Sequence, residues 1–286
     1  MDPSTSRATT DQAESRRLRV LSWNLGYHTP GSFKARTNRR RQWALLLALD
    51  PDIALLQECR PEDLADFGPE WAMDEYSVLA APASDRWQAA SAIVARSTFS
   101  PTLVTPSEPW FDYLWPYVVR GTVIVDGVGT VNVASVHADA SKVDDPALTD
   151  ADHALMRQPG SDRTWHCDMA AWALRDWVAD SFVVAGDWNT ARQFTANYSG
   201  TSPDAPAFFS ALRSWGWDES MRQKHPNEVQ TFFRAGNAAY QLDHLFTDAS
   251  LADGLASCEV VDDPLVRELS DHAPIVADFQ VSAAVE

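Results

Sequence analysis

Cysteine is scarce in this chain. Cys59, Cys167 and Cys258 are three in 286 residues, and no two form a C-x-x-C pair. Neither a disulfide framework nor a zinc-finger spacing follows. Basic residues are also few, 23 Lys and Arg against 40 Asp and Glu, for a formal net charge of -17. Such a molecule repels polyanions as a whole, which argues against tight non-specific nucleic-acid binding; a metal ion could still supply positive charge for phosphate locally. There is no Gly-x-Ser-x-Gly elbow and no Walker A glycine loop, so serine-hydrolase and P-loop chemistry are disfavoured. No apolar run is long enough to span a bilayer, and Met1 to Arg17 is polar without an apolar signal region. These residues read as a disordered leader, and the chain as cytoplasmic, with no membrane anchor.

What is present is a hydrophobic content of 45%, enough for one large core, and no internal repeat. Residues 18 to 286 read as a single domain. Strands are expected at Arg19 to Leu25, Asp52 to Glu58, Tyr76 to Ala80, Ala89 to Ala95, Tyr117 to Val125 and Thr130 to His137. Further strands are expected at Ser181 to Asp187, Thr231 to Arg234, Tyr240 to Phe246, Ala256 to Val261 and Ile275 to Val281. Helices are expected at Ser32 to Leu49, Thr164 to Asp180 and Ala205 to Trp215, with a long loop from Ala138 to Arg163 holding one helical turn. The alternation is neither pure βαβ nor pure hairpin. It suits an α/β sandwich: two mixed β-sheets packed face to face with helices outside.

Polar groups interrupt these apolar strands at or near their ends: Asn24, Glu58, His137, Asp187, Asn189, Asp243, Asp271 and His272. Each alone has an ordinary explanation as a turn residue, a cap or a satisfied core histidine. Together they are harder to assign to turns, because polar groups beside buried strands need partners and can partner one another. Their types fit one chemistry. Glu58, Asp271 and the Asn24 amide oxygen are hard oxygen ligands suited to Mg²⁺ or Mn²⁺. Asp187 is a base for a water, with Asn189 beside it, and Asp243 could fix the tautomer of His272. Metal-assisted hydrolysis of a phosphoester suits this set best.

The motifs that carry these groups are Trp23-Asn24, Gln57-Glu58, Gly186-Asp187-Trp188-Asn189, Leu242-Asp243-His244 and Ser270-Asp271-His272-Ala273-Pro274. In this order they resemble the endonuclease/exonuclease/phosphatase superfamily of deoxyribonuclease I-like metal-dependent phosphoesterases, over about Leu18 to Phe279. The resemblance implies a four-layer α/β sandwich. It implies Glu58 as principal metal ligand with Asn24 and Asp271 nearby, Asp187 on the water, and Asn189 on the phosphate. It further implies an Asp243 and His272 dyad at the phosphate, with His137 as a second histidine. One departure concerns His137, whose expected glutamate partner is missing near Gln88 to Ala92; Asp85 or Asp139 could substitute.

The substrate would be set by loops around the strand ends, with Arg86, Trp87, Lys142, Arg157, Arg163 and Arg192 as candidates. The basic cluster Lys34, Arg36, Arg39, Arg40 and Arg41 reads either as a solvated helix face or as a polyanion contact. The expectation is a Mg²⁺- or Mn²⁺-dependent nuclease or phosphodiesterase acting on DNA or a nucleotide. A small-molecule phosphatase of the same fold is the alternative, and a binding module that lost catalysis is a third reading.

Overall fold

The computed structural model describes residues 15–26, 33–59, 74–81, 90–107, 114–115, 117–144, 148–158, 161, 163–178, 180–194, 204–233 and 239–282. The chain runs from β1 (Ser15–Asn24) through α1 (Phe33–Leu49) to β2 (Ile53–Cys59), β3 (Tyr76–Ala80) and β4 (Ala90–Arg96). β5 (Thr102–Val104), β6 (Val118–Val125) and β7 (Gly129–His137) follow, then α2 (Asp150–Met156), α3 (His166–Arg175) and β8 (Phe182–Asp187). The last third holds α4 (Ala205–Ser214), β9 (Asp218–Glu219), α5 (Ser220–Lys224), β10 (Asp243–Thr247), α6 (Ala249–Asp253), β11 (Leu255–Val260), α7 (Pro264–Leu269) and β12 (Ile275–Ser282).

These strands form two six-stranded mixed sheets, ordered β11-β12-β1-β2-β4-β3 and β5-β6-β7-β8-β10-β9. Each sheet has one parallel pair near its middle, β1 with β2 and β7 with β8. Parallel neighbours need a crossover, supplied by α1 in the first sheet and by the segment containing α3 in the second. The strands read as near-continuous apolar runs because both faces of each sheet are covered. Val20, Leu55, Ile93, Val133, Ala185 and Leu245 point between the sheets. Their sequence neighbours alternate outward: Leu21, Leu56 and Val94 pack with Trp43 and Leu46 of α1, while Ala134, Val184 and Phe246 pack with Met169 of α3 and Phe208 of α4. The result is the expected four-layer sandwich.

Several local expectations shift. β1 begins at Ser15, four residues before the expected start, and Ser15 to Arg17 pair with Gln280 to Ser282; residues 1–14 lie outside the described set. α3 is shorter than expected, and the 138–163 loop contains α2, held by a capping box between Thr149 and Asp152. The strand expected at Thr231 to Arg234 reduces to isolated bridges from Phe232 to Tyr240 and to His272, with Arg234 outside the described residues. α7 follows an Asp263 cap and a proline in its first turn, a start signal present in the sequence. The three cysteines are free and buried. Among the described residues no helix is long and apolar enough to cross a membrane.

Candidate active site

Both parallel pairs end at polar residues, as open α/β layers do where they bind ligands. In the second sheet, register places His137 beside Asp187 and Asp187 beside Asp243, so three adjacent strands bring these candidate side chains into one row. In the first sheet Asn24 lies at the end of β1 and Glu58 near the end of β2. The register of β2 on β4 slips between Leu56 and Cys59, and within that bulge Glu58 has a φ of 53°. A non-glycine residue held there is costly, and such bulges re-aim side chains beside functional sites. Its carbonyl accepts a 3.2 Å hydrogen bond from the buried Arg39, and Gln57 donates across to Ser135 of β7 at 2.9 Å. One bulge thus turns Glu58 toward the row while its neighbour ties the two sheets together.

Gly186 is required by the close pairing of β7 and β8. A Cβ on it would lie 1.8 Å from the Val136 carbonyl oxygen, and its φ of 154° disfavours any L side chain. Trp188 is fully buried against Phe208 and Phe246, so the motif is anchored in the core on one side and polar on the other.

Asp187 is the hub. One carboxylate oxygen, Oδ2, accepts from Asn24 Nδ2 at 3.0 Å and Asn189 Nδ2 at 3.2 Å, and the other from the Asn189 backbone N–H at 2.9 Å. Asn189, with a φ of 47°, also donates to the Ala138 carbonyl at 2.8 Å. The Asn24 amide N–H₂ also donates to Glu58 at 3.1 Å, while its amide oxygen accepts from Gly26 N–H at 2.9 Å. Asn24 therefore presents a donor to the two acids, rather than the oxygen expected for a metal. Burial raises the Asp187 carboxyl to about 6, against the opposing pull of His272.

His272 Nδ1 pairs with Asp243 Oδ2 at 2.8 Å, and its Nε2 lies 3.6 Å from Asp187. Burial would lower the imidazole, but Asp243 and Asp187 outweigh it and hold it at about 10, so the ring is a cation between two carboxylates. Two further residues, not singled out from sequence, support this pair. The Thr231 hydroxyl accepts from the backbone N–H groups of Leu242 and Asp243. Ser270 donates to the Asn24 carbonyl at 2.7 Å and accepts from His272 N–H at 3.0 Å, stitching the end of β1 to the histidine. Ser270 was readable as the first residue of its motif; an isolated threonine such as Thr231 carries no such mark.

His137 Nε2 stands 3.5 Å from Glu58 and 3.9 Å from Asp187. Of the two acids expected to support it, Asp85 lies outside the described residues and Asp139 is exposed. Asp271 is exposed, and its carboxylate lies near Gly26, since a Cβ there would be 3.5 Å from Oδ1.

Among the described residues, the ligand atoms of Asp187, Asp243 and His272 lie within 4.8 Å of one another, a different trio from Glu58, Asn24 and Asp271. Asp243 Oδ1 is buried without a hydrogen-bond partner among the described residues, an open acceptor in an acid-rich cluster. Its setting, with Glu58 across the row, supplies the oxygen-rich donors that a hard divalent cation takes. The residues present fit such an ion.

The expected substrate contacts are dispersed. Arg86 and Trp87 lie outside the described residues. Lys142 and Arg163 are exposed on the loop between β7 and α3. Arg157 lines a separate groove with Trp172 and Trp215. Arg192 is not brought to the cluster: its guanidinium pairs with Glu219 and covers the Phe209 ring at 4.0 Å, on the outer side of the second sheet. The basic helix divides as well, with Arg39 buried on Glu58 and Arg41 paired to Glu268 at 2.8 Å.

Residues 21–272 match the family model described as the endonuclease/exonuclease/phosphatase family. No curated protein sequence matches the chain. Among solved structures, an AP endonuclease from Archaeoglobus fulgidus superposes with a TM-score of 0.62 at 18% identity, covering 92% of this chain and 99% of that one. A 3' phosphatase, NExo from Neisseria bound to product DNA hairpin, gives 0.60 at 20% identity with 92% and 99% coverage. A humanized D. rerio TDP2 gives 0.58 at 14%, covering 92% and 98%. At these identities the likeness is one of fold.

Proposed function

Since the chain belongs to the endonuclease/exonuclease/phosphatase family, we propose that it is a divalent-metal-dependent phosphoesterase, a nuclease or phosphodiesterase that hydrolyses DNA or nucleotide phosphodiester bonds by water attack. The observation that carries this reading is the Asp187 carboxylate, buried and raised to about 6, beside a His272 cation paired to Asp243. An ionised Asp187 accepts a proton from the attacking water as the new P–O bond forms. Asn189 and Asn24 hold that carboxylate in one orientation through three side-chain and backbone hydrogen bonds. His272 and His137 face the same space and would meet the negative charge that builds on the phosphoryl oxygens as the leaving oxygen departs. Mg²⁺ or Mn²⁺, held through the carboxylate oxygens of Glu58 and Asp243, would polarise the phosphate and neutralise charge. Asp271 stands near enough to Gly26 to add a further carboxylate.

Hydrolysis of DNA, bis(p-nitrophenyl) phosphate and phosphomonoesters with and without EDTA tests this reading. Activity restored by Mg²⁺ or Mn²⁺ is expected; metal-independent turnover, or none with any metal, would overturn it. One observation favours the alternative, a small phosphoester: Arg39 and Arg41 are committed to Glu58 and Glu268 instead of a phosphate track. Salt dependence separates the two, since several backbone phosphate contacts give a steep loss of affinity with salt and a small phosphoester gives little.

A further inference from the structure

A cavity of about 590 Å³ lies on the outer side of the second sheet, between α4, β9 and α5. Its floor is apolar, built of Phe209, Trp217 and Phe246. Three guanidinium groups border it against two acids, an inversion of sign in a protein of charge -17. Arg213 has no acidic partner among the described residues. Among the described residues Arg222 donates only to main-chain carbonyls, those of His225 and Pro226. Arg192 has its Nε buried without a hydrogen-bond partner among the described residues. Of the acids, Glu219 is already neutralised by Arg192 and His244, which leaves Asp218. Guanidinium forks over a low-dielectric floor select tetrahedral or planar oxyanions, which they bind through paired N–H groups. Ser210 and Gln223 add neutral hydrogen-bonding groups.

This cavity is wired to the catalytic strand end. Arg192 holds Glu219; Glu219 Oε1 holds His244 Nδ1 at 2.9 Å; His244 Nε2 donates to the Thr190 carbonyl at 2.9 Å, one residue from Asn189. His244 is completely buried, and the Arg192 backbone N–H is separately tied to Glu228. An anion that recruits the Arg192 guanidinium takes a partner from Glu219 and so alters the hold on Thr190.

We propose that this cavity binds a small molecule bearing a phosphate- or sulfate-like oxyanion, and that the Arg192, Glu219 and His244 chain transmits its occupancy to Asn189. The second half rests on the hydrolase reading; the first does not. Sulfate serves as the probe, with amide hydrogen exchange of the whole chain as the primary measurement. Sulfate is expected to slow exchange in residues 217–224 and to change it in 188–194. The Arg213→Ala/Arg222→Ala variant should lose both effects while keeping basal activity. His244→Gln should keep the first and lose the second. Unchanged exchange at 217–224 in the native chain, or protection that survives in the double variant, would overturn the site. An unaltered 188–194 response in His244→Gln would overturn the transmission. In turnover, sulfate competing at the catalytic cluster raises KM alone, whereas occupancy of the cavity should change kcat about fivefold at saturating substrate. If no phosphoester is hydrolysed under any condition, the hydrolase reading fails, and the exchange result still decides the site.

Discussion

β10 carries two histidine pairs on its opposite faces. On the inner face Asp243 holds His272 at 2.8 Å; on the outer face the next residue, His244, holds Glu219 at 2.9 Å. Both histidines are buried, and both are raised despite burial because a carboxylate sits on Nδ1. They part at the other nitrogen. His272 Nε2 faces the Asp187 carboxylate at 3.6 Å, beside Asn189 and His137. His244 Nε2 is consumed by the Thr190 carbonyl and walled in by Phe209 and Phe246. On the proposed function, a carboxylate–histidine pair is reactive where its second nitrogen meets a charge at an open strand end. The same pair becomes a structural tie where that nitrogen meets backbone.

The comparison breaks most completely at Gly186, on which both faces depend. Gly186→Ala must push β7 from β8, because the added methyl would meet Val136 backbone at 1.8 Å. A loss of more than about 4 kcal/mol is expected, read by urea unfolding. Asp187→Asn should be next, lowering kcat roughly 10²- to 10⁴-fold with the thermal midpoint retained, since it removes the acceptor for the water proton and leaves the packing. Steady-state hydrolysis of bis(p-nitrophenyl) phosphate beside a thermal melt measures both.

A pH profile sharpens the inner pair further. Activity should rise as Asp187 ionises near pH 6 and fall as His272 loses its proton near pH 10. Asp243→Asn removes a charge that raises His272, so the alkaline limb should move to lower pH. For stability the sign is fixed by the raised histidine. Folded His272 binds its proton more tightly than the unfolded ring, so its contribution is full below about pH 6.5 and is lost as pH rises through about 10. Unfolding free energies from pH 6 to 10 in native chain and Asp243→Asn check this; a native chain whose stability rose over that range would contradict the pairing.

Much of this site was legible because β-strands advertise themselves. Apolar runs covered on both faces stop abruptly, and a polar residue at such a stop is visible without any structure; Asn24, His137 and Asp187 are of this kind, while Asp243 opens its strand. Types of element followed from the same runs, while β5, β9, α5, α6 and α7 did not, being two to six residues long with too little periodicity to register. What sequence could not supply was direction. The adjacency of Asp243 and His244 hides that they face opposite layers, and Arg192, five residues after Asp187, reads as a substrate contact although it points to Glu219 on the far side. The bulge that turns Glu58 is likewise set by pairing with β4, where Leu56 meets Ala92 and Cys59 meets Ala90, distant partners in the chain.

The smallest effect on turnover belongs to the outer pair and is the most discriminating. His244→Gln removes a doubly donating ring from a fully buried position. Glutamine reaches one of the two partners, and Glu219 keeps Arg192 and Gln241. Loss of one charge-assisted bond in the interior costs about 1.5–3 kcal/mol. With Asp187, Asp243 and His272 in place, kcat should fall less than about tenfold, well short of the loss expected of an acid–base group. The ratio of the two losses is the quantity to measure, by urea unfolding and steady-state turnover on one preparation. Asp187→Asn should lose turnover and keep stability, and His244→Gln should do the reverse. A His244→Gln protein with native stability and a thousandfold loss of turnover would place the outer histidine in the reaction itself, and the partner at Nε2 would no longer distinguish a reactive pair from a tie.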